Sequence, residues 1–518
     1  MGSFENMDSS ENVADLKAKD NLEAPNYGDS TVSGTGILSE EENKRLRLKA
    51  DLVVLPIMVI TSTLAFLDKN GMAYAAVYGM KTDANLKGQK YSWLGSIFYF
   101  GYLGMEFPAL WFLTKVPIGK YVGAMLFCWG ACLCGMAGCN NFAGLAVVRF
   151  LLGVFEAGIL PCFMVLTSVW YSRNEQPIRT ALWYNTFAGI FGGILSYAIG
   201  HISGPLAAWK YIFLIYGTVT MLVGIITIFL LPDSPNKAWF YSKDERKLAT
   251  MRTAHNQTGI STINTWKVAH VREVLRDPKY WCVAIYVVAQ SITNAGITNF
   301  NPLIISGYGF SQTKTTLMAT PQAAVAFVAQ IIATSITFLV PNIRCLLWVL
   351  SCFPALAGSV MIHTLDINSN RTASLAGVYL MGFYNVSWVL VLSLQSSNNA
   401  GTTKKTFISV SVAVFYSIGN IVGPQFFRTS QSPHYPLGIF AMMVCFAIMA
   451  VTGGIYWLDL SPFSLGNNTN ELQSLCLCEN KRRDRVYGLP DTNEVALGLQ
   501  VEAEDRTDGE NINFRYVY

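Results

Sequence analysis

Charge is what this sequence has least of. Asp, Glu, Lys and Arg together make up 14 % of its 518 residues, against about 25 % in soluble chains. That scarcity excludes the string of soluble domains that length alone would allow. A basic stripe interleaved with aromatics is missing and the net charge is only +4, which excludes nucleic acid as a partner. Cysteine is present without metal or disulfide spacing. Apart from Cys476 and Cys478 in the tail, the cysteines lie in or beside apolar runs, where they act as small hydrophobes. A P-loop, an HExxH pair, a nucleophile elbow and a potassium-filter sequence are also absent. The reading is therefore of a protein that is not an enzyme and needs no metal and no cofactor. No signal peptide is visible, because residues 1–50 are polar and acidic, so the first apolar run must direct insertion itself.

What is present is oil. Hydrophobic residues make up 52 % of the chain, gathered into runs of roughly 20 residues, enough to span a bilayer as helix. The runs predict spans at 52–68, 91–113, 119–138, 143–171, 179–203, 210–231, 280–301, 315–339, 344–363, 372–394, 406–427 and 436–458. This is an all-α polytopic membrane protein with 12 transmembrane helices. Lys and Arg concentrate on the side that carries the N-terminus. The other side holds Lys69, Lys81, Lys87, Lys90, Lys210, Lys314, Arg371 and Arg428, half of them in its first loop. The positive-inside rule then places both termini in the cytoplasm. Six spans, a polar connection and six more spans predict two pseudo-symmetric six-helix bundles. The chain divides into a disordered N-terminal tail (1–50), a first bundle (51–231), a central loop (232–278), a second bundle (279–458) and a C-terminal tail (459–518).

The central loop has its own order. Ser242 and Glu245 in "SKDER" make a capping box. Val268, Val271 and Leu275 form an apolar stripe beside Arg272 and Arg276, ended by Asp277-Pro278, which predicts an interfacial helix.

Ions and amides inside the oily runs are the candidate functional groups. In "RFLLGVFEAG" (149–158), Arg149 and Glu156 are seven residues apart. On a helix that is about 10 Å along the axis and about 20° around it. Gly153 lies between them on the same face, a gap in side-chain bulk. Buried charge costs several kcal/mol even on lenient scales. Two readings stay open: an ion-pair network that fixes helix packing, or anion attraction by Arg149 with protonation at Glu156. Glu106, just before Pro108, reads as gating or structural, and Asp68 as a partly solvated gate residue that closes the first span. Gln290 and Asn294 are one turn apart, as are Tyr416 and Asn420; Asn385 shares a face with Trp388, and Asn185 is a weaker candidate. Lone amides in membrane helices often serve as glue between helices, whereas several at one depth point to a cavity. The runs "GSIFYFGYLG", "AGIFGG" and "GNIVG" predict close helix packing.

Several stretches carry a family resemblance: 91–121 ("YSWLGSIFYFGYLGMEFPALWFLTKVPIGKY"), 149–184, 230–246 ("LLPDSPNKAWFYSKDER"), 393–407 ("SLQSSNNAGTTKKTF") and 419–427. Together they resemble the major facilitator superfamily (MFS fold), and within it the fungal anion:cation symporter branch that includes allantoate permease. The resemblance implies alternating access by two six-helix bundles and proton-coupled movement of small organic anions or vitamin-like compounds. Arg149 and Glu156 match the fourth-span motif of that branch, and Asn398, Asn399 and Gly401 match the polar stretch after its tenth span. Where many relatives have a substrate-facing Arg and Asn at the end of the first span, this chain has Lys69 and Asn70. The fifth span lacks the Pro of drug antiporters, which disfavours drug:proton antiport.

The expectation is a secondary active transporter, a symporter for a small carboxylate, driven by the proton gradient. It acts as a monomer in the lipid bilayer of the plasma membrane. Export of a metabolite made by the host is the alternative within transport. A nutrient sensor that signals through its tail is the alternative outside it.

Overall fold

The computed structural model describes residues 40–172, 175–183, 188–254, 267–340, 342–399 and 402–459. Among these residues the fold is helical throughout, without strands. The first half holds α1 (Glu40–Val77), the short α2 (Met80–Asp83), α3 (Lys90–Lys115), α4 (Ile118–Gly138), α5 (Phe142–Ala157), α6 (Ile159–Trp170), α7 (Gln176–Trp183), α8 (Ala188–Ile199) and α9 (Ala208–Leu230). α10 (Lys243–Ala254) and α11 (Val268–Arg276) lie between the halves in sequence. The second half holds α12 (Pro278–Ser306), α13 (Gln312–Leu339), α14 (Arg344–Thr364), α15 (Ile367–Leu380), α16 (Tyr384–Asn398), α17 (Thr402–Val422) and α18 (Pro436–Asp459).

Among the described residues, 10 helical stretches are long and apolar enough to cross a membrane. α5 with α6, and α15 with α16, each count as one such stretch. α3, and α7 with α8, take the second and fifth places of the twelve expected. Side chains such as Phe229 (77 % exposed), Leu339 (81 %) and Val147 (61 %) point outward, an arrangement that suits hydrocarbon and not water. This is an integral membrane protein.

The glycine runs do bring helices together. A side chain at Gly153 of α5 would collide with the Phe98 carbonyl of α3, and one at Gly101 of α3 with the Phe150 carbonyl of α5. The expected gap at Gly153 is thus filled by the backbone of α3. Backbones this close are the usual basis of helix association in lipid. α5 and α6 part at Gly158, two residues after Glu156. The tenth span is likewise divided, by a 3-10 turn at Met381–Phe383.

Hydrogen bonds that join the halves gather at one end. Tyr91 Oη donates to the Asn299 carbonyl (2.7 Å), Ser92 Oγ to that of Phe427 (3.1 Å) and Ser96 Oγ to that of Ile421 (2.6 Å). Gln425 Nε2 donates back to Ser96 Oγ at 2.9 Å. At the opposite end, charged groups tie α10 to the first half. Lys49 Nζ donates to both carboxylate oxygens of Glu245, at 2.8 and 2.7 Å. Arg252 and Arg47 both meet Glu175. Tyr241 Oη donates to the Leu46 carbonyl at 2.7 Å. The capping box forms: Glu245 N–H donates to Ser242 Oγ (3.2 Å) and Ser242 N–H to Glu245 Oε2 (2.9 Å).

Two boundaries need correction: residues 40–50, expected within the disordered tail, are the first turns of α1, and the end of the first span moves as well. The first span does not end at residue 68, because α1 continues to Val77. The charged "LDKN" reads as a terminus, yet nine further residues of helix follow Asp68. Asp68 is only 1 % exposed, so it is not a partly solvated end residue, and Lys69 does not belong to a loop. The helix carries this charge because Lys69 finds a carboxylate elsewhere in the bundle.

Candidate functional site

That carboxylate is Glu156. Lys69 Nζ of α1 lies 2.7 Å from Glu156 Oε1 of α5, with side chains 27 % and 4 % exposed respectively. The continuous apolar frame on both sides of Asp68-Lys69 was the one signal that these ions sit inside a span. Arg149, 3 % exposed, makes no ion pair with a described residue, and its Nε is buried without a hydrogen bond. It meets the Phe98 ring instead, with Cζ 5.9 Å from the centroid, while Lys69 Nζ lies 6.0 Å from the same centroid. Phe98, on α3, therefore holds two cations near one ring. Attraction to the ring quadrupole offsets part of their burial.

Four buried atoms in this cluster lack hydrogen-bond partners among the described residues: Asp68 Oδ1 and Oδ2, Glu156 Oε2 and Arg149 Nε. The set is thus two cations at one aromatic ring and two buried acids, with a single ion pair, Lys69–Glu156, closed among the described residues. Asn70, the neighbour of Lys69, turns back to its own helix and donates to the Phe66 carbonyl at 2.9 Å.

The second half contributes a polar cluster. Asn294 Nδ2 of α12 donates to Asn420 Oδ1 (3.0 Å) and to Tyr416 Oη (3.3 Å), both on α17. Tyr384 Oη of α16 donates to Asn294 Oδ1 at 3.1 Å, and Asn420 Nδ2 donates to the Tyr416 carbonyl at 2.8 Å. The Tyr416 ring lies 6.0 Å from that of Tyr99 on α3 and 5.7 Å from that of Trp388 on α16. Phe98 and Tyr99 meet edge to face at 4.9 Å. A line of rings therefore runs from the charged cluster of one half to the amide cluster of the other.

Not every candidate joins this site. Gln290 is 2 % exposed, with Oε1 unpartnered, and makes no bond to the Asn294 cluster. Asn385 is half-buried beside Tyr384. Glu106 is buried further along α3, with Oε2 unpartnered. Asn398 and Asn399 lie at the α11 end, where Asn398 Nδ2 donates to Tyr456 Oη (3.4 Å) and Asn399 Nδ2 to the Gln395 carbonyl (2.8 Å). Asn185 falls outside the described residues, as does Gly401. The residues not singled out from sequence are Lys69 as an ion-pair member, Phe98, Tyr99 and Tyr384. Their roles depend on contacts between distant helices. Among the described residues no group of three or more His, Cys, Asp or Glu side chains gathers as a metal site.

Two bundles of membrane helices, joined at one end, with buried ions and amides where they face each other, define the class: a polytopic membrane carrier. The Major Facilitator Superfamily model matches residues 58–424. An uncharacterized transporter of Schizosaccharomyces pombe is 38 % identical over 92 % of this chain and 88 % of its own length. The allantoate permease of Saccharomyces cerevisiae is 32 % identical (92 % and 87 % covered), and its thiamine pathway transporter THI73 is 30 % identical (93 % and 87 %). The chain belongs to the Major Facilitator Superfamily, among the fungal transporters that include allantoate permease. Its fold is similar to that of a D-xylose-proton symporter (TM-score 0.56, 13 % identity, 77 % of this chain and 97 % of the other). It is equally similar to that of a bacterial homologue of the human lysosomal transporter Spinster (TM-score 0.56, 14 % identity, 82 % and 98 %). The protein is a transporter of small molecules.

Proposed function

We propose that this transporter is a proton-coupled carrier of a small organic anion bearing a carboxylate. It works as a monomer in the plasma membrane with both termini in the cytoplasm. The observation that carries the reading is the Lys69–Glu156 ion pair, with Arg149 beside it lacking a carboxylate of its own. A solute carboxylate attracted by Arg149 competes with Glu156 for Lys69. Once released, Glu156 would be a lone buried carboxylate, and uptake of a proton is the least costly response. Asp68, with neither oxygen hydrogen-bonded, is a second candidate for that proton. The amides of Asn294 and Asn420, with Tyr384 and Tyr416, supply hydrogen bonds to the rest of the solute.

Alternating access fits the placement of the bonds between halves. With cytoplasmic termini, the joined end at Tyr91, Ser92 and Ser96 faces outward and the α10 end faces inward. This arrangement would present the site to the cytoplasm. The name of allantoate permease, a relative, is in keeping with an organic anion as solute.

The test is uptake by the purified protein in vesicles, using a panel of carboxylates and vitamins, with a pH gradient imposed in each direction. The expected result is accumulation of one or more carboxylates on the alkaline side. Preference for neutral or cationic solutes, or flux indifferent to the gradient, would overturn the reading.

A further inference from the structure

The short helix α11 packs on the second half by one face and leaves the other without a partner among the described residues. His270 (3 % exposed) and Val274 (1 %) are its buried residues. Its one acid, Glu273, is engaged by Lys404 of α17, with Oε1 2.9 Å from Nζ. Of the apolar stripe, Val268 is 70 % exposed and Leu275 44 % exposed, while Val271 is half-buried. Arg272 and Arg276 are exposed as well.

At 100° per residue, Leu275 and Val268 form one edge of the outward face, and Arg272 and Arg276 lie next to them around the axis. No acid shares that face. Trp281, 48 % exposed, extends the apolar edge, since its Nε1 donates to the Leu275 carbonyl at 2.9 Å. Asp277, at the end of α11, is occupied: it caps α12 through the Lys279 N–H (2.9 Å) and lies 3.7 Å from Lys279 Nζ. The first turn of membrane-spanning α12 follows directly, which sets α11 at the level of the bilayer surface.

An apolar edge, a Trp and adjacent arginines at that level match acyl chain on one side and phosphate on the other. We propose that the outward face of α11 binds anionic phospholipid of the surrounding leaflet, with Val268, Leu275 and Trp281 against the acyl region and Arg272 and Arg276 on the headgroup. Glu273 then links this lipid-bound helix to α17, the helix that carries Tyr416 and Asn420.

The experiment titrates the purified full chain in neutral detergent with dioctanoyl phosphatidylserine, dioctanoyl phosphatidylcholine and glycerophosphoserine, read by thermal unfolding. The serine lipid should raise the midpoint and the choline lipid should do so far less. In R272Q/R276Q the apparent affinity for the serine lipid should fall about thirty-fold, from roughly fivefold per basic side chain near an anionic surface. R272K/R276K keeps the charge and should keep the response, which separates lost binding from misfolding. V268S/L275S should weaken the response with the arginines intact. Equal shifts with the two lipids, an unchanged response in R272Q/R276Q, or the same shift with glycerophosphoserine alone would overturn the proposal. The last outcome would mark a site for a soluble anion instead.

Discussion

The Lys69 ammonium and the Glu156 carboxylate meet at 2.7 Å across two helices, although 87 residues separate them in sequence. Removing one member of such a pair leaves the other charge buried and uncompensated, at a cost of about 3–5 kcal/mol. K69M should therefore lower both thermal stability and transport, whereas the double variant K69M/E156Q should recover much of the stability and none of the transport. Thermal unfolding and vesicle flux on the four members of this cycle provide the check. Recovery of flux in the double variant would show that the pair serves packing only.

Glu156 and Arg149 separate coupling from binding. In E156Q the side chain keeps its shape but no longer takes up and releases a proton. Exchange of internal for external solute should survive, while accumulation driven by a pH gradient should vanish. R149A should abolish both and leave folded protein in the membrane. Unchanged pH dependence in E156Q would remove Glu156 from the coupling role, and normal flux in R149A would remove Arg149 from binding.

These residues also show how far the sequence is readable. Spans follow from apolar runs because the bilayer demands a fixed length of helix, and the glycines at 101 and 153 mark a close helix contact because only they leave room. Asp68 and Lys69 read as a span end for a physical reason. A local "DKN" looks like a helix end unless its compensating charge is known, and that charge is on another helix. Spacing puts Asn294 and Gln290 on one face, yet only Asn294 meets Asn420, because convergence depends on how α12 and α17 pack. Phe98 and Tyr99 gave no signal among so many aromatics; their contacts with Lys69, Arg149 and Tyr416 come from the fold alone.

The amide cluster should control affinity as well as stability. Asn294 makes bonds to three side chains, so N294A removes several neutral hydrogen bonds worth about 0.5–1.5 kcal/mol each. Y416F removes one acceptor and keeps the ring that contacts Tyr99 and Trp388. For a solute that uses this cluster, N294A should raise KM by about tenfold or more, and Y416F by about threefold to tenfold, with smaller changes in kcat. Vesicle flux against solute concentration reads both. Unchanged KM in N294A would place the solute elsewhere.

The contact between α3 and α5 sets the positions of Phe98 and Arg149 together. A valine at Gly153 would drive its side chain into the Phe98 carbonyl, which helix backbone cannot yield cheaply. G153V should lower thermal stability markedly and abolish transport, whereas G104V, at a position with open space around it, should change little. Comparing unfolding midpoints of the two variants tests whether the glycines act by close approach. Equal loss in both would contradict that account.

Acid should loosen α10 through Glu245. The hydrogen bond from Lys49, then that from the Ser242 N–H, holds the Glu245 carboxyl below its ordinary pKa. A carboxyl whose pKa is depressed on folding stabilises the folded state fully above its unfolded value, about 4.3. That stabilisation is lost as pH falls through the folded value. Amide hydrogen exchange of α10 should therefore be flat from neutrality down to about pH 5, once corrected for intrinsic rates, and should accelerate below about pH 4. E245Q should exchange at neutral pH as the unaltered protein does in acid, and should respond little to further acidification. A wild-type α10 that stays equally protected down to pH 3, or an E245Q protein that still loosens there, would remove Glu245 as the source of an acid response.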